Sequence, residues 1–108
     1  MNKIIRGKIE EKIKEISEKW GRSNIYYVGG YVREELFRTY LESIVDTTKD
    51  IDLVIDKENG SAEFIEFLKE NYPQDCIDFV EYPRYGTAKF TLMLKKRKLP
   101  IECVSPRV

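Results

Sequence analysis

Apolar positions recur at helical spacing through the first twenty residues, then give way to short runs and strict alternation. Ile4, Ile5, Ile9, Ile13, Ile16 and Trp20 fall on one stripe of a 3.6-residue period. Residues 2–20 therefore read as an amphipathic helix whose apolar side meets a core, and Gly21 stops it. Ile25–Val28 reads as a short strand, about Tyr31–Ser43 as a second helix and Ile51–Asp56 as a second strand. Ser61 is expected to cap a third helix with Phe64, Ile65, Phe67 and Leu68 on its apolar side, ending at Asn71-Tyr72-Pro73.

The last third is β in pattern. Cys76–Tyr82 and Thr87–Leu94 read as strands, with Ala88, Phe90, Leu92 and Leu94 sharing one face of the latter. Lys95-Lys96-Arg97-Lys98 reads as a charged hairpin turn and Leu99–Val104 as the closing strand. The order predicts an α/β (α+β) chain forming a single domain over residues 1–108.

Two segments carry chemistry. The first, Ile25 to Arg33, is an apolar strand that runs into Gly29-Gly30 and turns into a helix bearing Arg33. Such a turn exposes backbone N–H groups at a helix N-terminus, where an anion is favoured, and glycine lets the backbone approach it. Taken alone, the pattern also suits an ordinary tight strand-to-helix connection. The second is Asp50-Ile51-Asp52 at a strand start. Strand alternation puts Asp50 and Asp52 on one face and Ile51, Leu53 and Ile55 on the other. With the apolar trio against a helical layer, both carboxylates emerge on an open face as hard oxygen ligands suited to magnesium. Alone, this pair equally suits a solvated strand start.

Composition narrows the choices. Of 108 residues, 42% are hydrophobic, enough for one core. Lys+Arg and Asp+Glu both number 19, so the chain is unlike a strongly basic nucleic-acid binder. The run Lys95–Lys98 is the local candidate for backbone phosphate contacts; a solubilising hairpin tip is the plainer reading. The absence of histidine excludes a histidine base or metal ligand. Cys76 and Cys103 lack metal-site spacing and read as reduced thiols in a cytoplasmic protein. No apolar run approaches membrane-span length, and no signal peptide or internal repeat is visible.

The run Tyr27-Val28-Gly29-Gly30-Tyr31-Val32-Arg33 followed by Asp50-Ile51-Asp52 resembles the head domain of the class II poly(A) polymerase and tRNA CCA-adding enzymes. These belong to the DNA polymerase β-like nucleotidyltransferases. Tyr85-Gly86-Thr87-Ala88 resembles that family's Phe-Gly-Thr strand start, and Ile101 to Arg107 resembles its closing strand, with an acidic residue inside and an arginine at the end. The likeness covers about Ile25 to Arg107. It departs at Arg33-Glu34, where the family has Arg-Asp, and in a longer stretch from Arg33 to Asp50.

The resemblance implies a nucleotidyltransferase-type mixed five-stranded sheet with helices on one face. It implies Asp50 and Asp52 as metal ligands in a two-magnesium site, Glu102 as a third catalytic acid, and Gly29, Gly30, Arg33 and Arg107 as the nucleotide's phosphate holders. The substrate would be a nucleoside triphosphate (ATP or CTP) and the acceptor an RNA, in the family a tRNA 3′ end. The family's base-reading neck motifs, Arg-Arg-Asp and Glu-Asp-x-x-Arg, do not occur before Val108. Three expectations follow: a head lacking its companion domain, a minimal transferase acting on RNA, a protein or a small molecule, or a module that binds nucleotide or partner without turnover. An apolar surface at Tyr40, Leu41, Ile44 and Val45 would favour a homo-oligomer.

Overall fold

The computed structural model describes residues 3–28 and 51–106. In chain order the elements are α1 (Lys3–Trp20), β1 (Ile25–Val28), β2 (Ile51–Ile55), α2 (Gly60–Asn71), β3 (Cys76–Tyr82), β4 (Thr87–Leu94) and β5 (Arg97–Val104), with a 3₁₀ turn at Pro83–Tyr85. The expected helix over Tyr31–Ser43 and the surface at Tyr40, Leu41, Ile44 and Val45 lie outside the described residues.

The strands form one mixed sheet in the order β1-β2-β5-β4-β3. β2 and β5 are parallel, and every other pair is antiparallel. Parallel neighbours need a crossover; here α2, β3 and β4 all intervene between β2 and β5. That long return seats the C-terminal strand in the middle of the sheet.

Alternation decides the core. Leu53 and Ile55 of β2, Ala88, Phe90 and Leu92 of β4, and Ile101 and Cys103 of β5 share one face. They meet Ile9, Ile13, Ile16 and Trp20 of α1 and Phe64, Ile65 and Leu68 of α2. Both described helices therefore cover the same side of the sheet. Phe64 is fully buried at the junction, with ring centroids 5.2 Å from Trp20 and 6.4 Å from Phe90, both edge-on, a favoured aromatic geometry. Ile4 departs from its stripe: it is 72% exposed, since a position five residues before Ile9 lies about 140° away around a helix.

Helix ends differ in detail from expectation. Gly21 closes α1 with φ +61° and donates its N–H to the Ser17 carbonyl at 2.9 Å. At α2 the cap is Asn59, in left-handed conformation and without a side-chain capping bond. Ser61 lies inside the first turn and is 1% exposed. The start of α2 sits there because Gly60 lies against β2: a Cβ on Gly60 would come within 2.5 Å of Ile55 Cγ2. β2 ends at Ile55, and the Asp56 N–H then reaches the Asn24 carbonyl at 3.0 Å.

The β4–β5 connection is tighter than the charge run suggests. Leu94 pairs with Arg97 and Met93 with Lys98, so only Lys95 and Lys96 form the turn, with Lys95 at φ +57°. In β3 the register shifts between Ile77 and Val80, where Asp78 takes φ +55° and bulges the edge strand.

Candidate functional site: a carboxylate row across the sheet

The side of the sheet away from the two helices carries the residues that alternate with the core. On β2 these are Asp52 and Val54, and on β5 Glu102 and Val104. The parallel register pairs Asp52 with Glu102. Hydrogen-bonded strands lie about 4.8 Å apart, so the two carboxylate-bearing positions are immediate neighbours on one face.

The row continues in both directions. β1 contributes Val28 opposite Asp52, β4 contributes Lys89 opposite Glu102, and β3 contributes Val80 opposite Lys89. Two residues further along lies a parallel row of Tyr26, Val54, Val104, Thr87 and Tyr82. Burial is concentrated at the centre of this face. Asp52 is 1% exposed and Glu102 8%, with Val54, Val104 and Thr87 also buried, whereas Tyr26, Tyr82, Val80 and Lys89 at its margins are exposed. The carboxylates are thus enclosed, in place of the open face expected from alternation alone. Alternation assigns a face, but it does not say what lies over it.

The electrostatic imprint of the pair appears on Cys103, which lies between Glu102 and Val104 and faces the core. Its thiol is pushed well above the ordinary range, first by complete burial and then by the charges of Glu102, Cys76 and Asp52. Cys76 is likewise pushed up to about 12, mainly by burial and then by Asp75. Both cysteines are free and buried, in keeping with their reading as core thiols.

The strand entering the diglycine segment borders this row. Val28, the residue before Gly29, pairs with Asp52, and Ile51, the residue after Asp50, pairs with Ile101. Gly29, Gly30, Arg33, Asp50 and Arg107 themselves lie outside the described residues. A second junction joins the two remaining motif segments. The Gly86 carbonyl accepts the Ser105 N–H at 2.9 Å and the Ser105 Oγ–H at 3.1 Å. Gly86 has φ +66°, a conformation glycine adopts without penalty. This bond ties the start of β4 to the end of β5, two residues before Arg107.

Lys89 was not singled out from the sequence. Its local signal is only that it alternates with Ala88 and Phe90 on β4. Its place beside Glu102 follows from a pairing between residues distant in the chain.

Asp52 and Glu102 are hard oxygen donors, as magnesium prefers. Among the described residues no group of three or more His, Cys, Asp or Glu side chains is gathered as for a metal ion. The described part of the row thus supplies two carboxylates, a donor set that fits magnesium only as part of a larger one. No protein-family model, no curated protein and no solved structure matches this chain. Among the described residues no helix is long and apolar enough to cross a membrane.

Proposed function

We propose that the chain is a nucleotidyltransferase that moves a nucleoside monophosphate from ATP or CTP to an acceptor hydroxyl, with an RNA 3′ end, as in tRNA, as the acceptor. The observation that carries this reading is the in-register pairing of Asp52 with Glu102, next to the strand that leads into Gly29-Gly30. The mixed five-stranded sheet agrees with the nucleotidyltransferase-type fold that the motifs suggest.

In this reading Asp50 and Asp52 would hold magnesium, which when bound supplies charge neutralisation along the triphosphate. Gly29 and Gly30 offer backbone N–H groups to the phosphates, and Arg33 and Arg107 add positive charge. Glu102 takes the proton from the acceptor hydroxyl. The hydroxyl oxygen forms a bond to the α-phosphorus while the bond to the bridging oxygen breaks, and pyrophosphate leaves. Positioning and charge complementarity supply most of the rate in such transfers. The two buried free thiols fit a reducing, cytoplasmic setting.

The deciding experiment incubates the protein with each labelled triphosphate, magnesium and a tRNA lacking its terminal nucleotides. Label on the RNA supports the proposal, and label on the protein itself redirects it to another acceptor. A different reading is favoured by one observation, the 1% exposure of Asp52: the chain binds a nucleotide or partner without turnover. Magnesium-dependent triphosphate binding with no label transferred would establish that alternative.

A further inference from the structure

On the β3 side, the margin of the sheet face that bears the carboxylates carries rings and cations together. Val80 pairs with Lys89, Lys89 pairs with Glu102, and Tyr82 lies two residues along the same face, opposite Thr87. The 3₁₀ turn at Pro83–Tyr85 follows directly and adds Arg84 and Tyr85. Val80, Tyr82 and Tyr85 are between 42% and 45% exposed, and Lys89 and Arg84 are exposed as well. Glu81, the acid between Val80 and Tyr82, pairs with Ala88 and so belongs to the helix-covered face. The turn is pinned at both ends. Pro83 restricts the backbone at its start, the Gly86 N–H donates to the Pro83 carbonyl at 3.2 Å, and the Gly86 carbonyl is held by Ser105. Within the turn the Arg84 guanidinium lies 5.9 Å from the centre of the Tyr85 ring, inside cation–π range.

We infer that this margin receives the single-stranded 3′ segment of the acceptor RNA, with Tyr82 and Tyr85 offering ring faces to bases and Lys89 and Arg84 meeting backbone phosphates. The inference rests on the reading of the chain as a transferase that acts on RNA. Its chemistry comes first. Rings interleaved with cations suit a single strand, which has free base faces and an anionic backbone; in a duplex those faces are stacked away.

Placement is the second support. At strand spacing Lys89 is about 5 Å from Glu102 and Val80 about 10 Å. An acceptor hydroxyl at Glu102 therefore leaves the preceding nucleotides over Lys89 and Tyr82. The third support is direction. The row of Tyr82, Thr87, Val104 and Val54 lies on the turn side of the carboxylates. β1 runs from Tyr26, opposite Val54, to Val28, opposite Asp52, and there leads into Gly29-Gly30. The carboxylates thus stand between the 3₁₀ turn and the strand end that leads to the diglycine, which gives acceptor and triphosphate separate approaches. Rings held on a strand and a pinned turn also lose little freedom when a base stacks on them.

The test is fluorescence anisotropy of the intact chain with a fluorescein-labelled single-stranded RNA of about twelve nucleotides. EDTA is present and triphosphate absent, so that metal-dependent chemistry at the carboxylate row is silent. Saturable binding is expected, weakened about five- to hundredfold by Tyr82→Ala or Tyr85→Ala, the usual loss of one stacked base. Tyr82→Phe keeps the ring and should bind as the parent does. Lys89→Gln and Arg84→Gln should each reduce the slope of log affinity against log salt by about 0.7. Lys96→Gln, at the far end of β4 and β5, should leave that slope unchanged. Circular dichroism checks that each variant is folded. Absence of saturable binding, equal binding by the alanine variants, a slope change in Lys96→Gln as large as in Lys89→Gln, or preference for duplex RNA overturns the inference. Transfer with magnesium is scored separately. RNA binding that falls in these variants while the parent transfers no label upholds the RNA-binding margin and overturns only the transfer reading; label passed to RNA equally by the parent and Tyr82→Ala does the reverse.

Discussion

Asp52 and Glu102, fifty residues apart in the chain, stand opposite each other on adjacent parallel strands at the centre of the sheet. The crossover through α2, β3 and β4 creates this relationship, because it returns β5 to the side of β2 with the same polarity. Both residues alternate with core positions, so neither can leave that face without a register slip that would also expose Leu53, Ile101 and Cys103.

Substitution of the pair tests the proposed chemistry directly. Glu102→Gln should lower nucleotide transfer by about 10² to 10⁴, the usual contribution of a positioned general base. Asp52→Asn should abolish transfer and weaken magnesium-dependent triphosphate binding. Incorporation of labelled nucleotide and binding in magnesium are the measurements. Full transfer by folded Asp52→Asn would remove the carboxylate row from the mechanism.

Lys89 faces Glu102 across β4 and β5. Lys89→Glu places like charges directly opposite and should cost about 0.2–1 kcal/mol, read from urea unfolding. Lys89→Gln should cost less. If the ammonium also helps attract a triphosphate to the row, Lys89→Gln raises the KM for nucleotide while leaving kcat nearly unchanged.

Two glycines in helices should respond in opposite directions to alanine. At Gly7 in α1 an added Cβ meets nothing within 4 Å, so Gly7→Ala should stabilise by about 0.5–1 kcal/mol through helix propensity. At Gly60 the added Cβ would press on fully buried Ile55, and Gly60→Ala should destabilise by about 1–3 kcal/mol, as overpacking does. Denaturant midpoints of the two variants against the parent decide both.

The buried thiols predict alkaline sensitivity. Cys76 is held protonated up to about 12, against 9.0 for an unburied thiol, and Cys103 is shifted in the same direction. Between those values the unfolded chain loses a proton that the folded chain keeps. Their contribution to stability is therefore complete below pH 9 and declines as pH rises above it, by up to about 1.4 kcal/mol per pH unit for each thiol. A Cys76→Ala/Cys103→Ala chain should start less stable at neutral pH and lose less between pH 9 and 11. A thiol reagent should leave both cysteines unmodified until the protein unfolds. Fast modification of the native chain would contradict the burial.

Much of the local architecture was legible from residue order. β3 and β4 begin and end where alternation placed them, α1 and α2 cover the expected stretches within a residue or two, and Gly21 stops α1. Glu102 lies on the face of Asp52, as expected if Ile101 packs where Leu53 does. Ser61 and the Lys95–Lys98 turn mislead for one reason: their state depends on distant elements, how closely Gly60 meets Ile55 and how far β4 and β5 continue to pair. Ile4 misleads locally, lying about 140° from Ile9 around the helix.

Periodicity in the chain specifies which residues share a face, since side-chain direction follows from backbone geometry within a few residues. It therefore marked out α1, α2, the five strands, most of their core-facing positions and the face shared by Asp52 and Glu102. Strand order and register are non-local, and the folded sheet alone established that Asp52 meets Glu102, that Lys89 joins their row and that the acids are enclosed. Those contacts join residues separated by long loops of chain, whose meeting is decided by the packing of the whole domain and leaves no signature in any short segment.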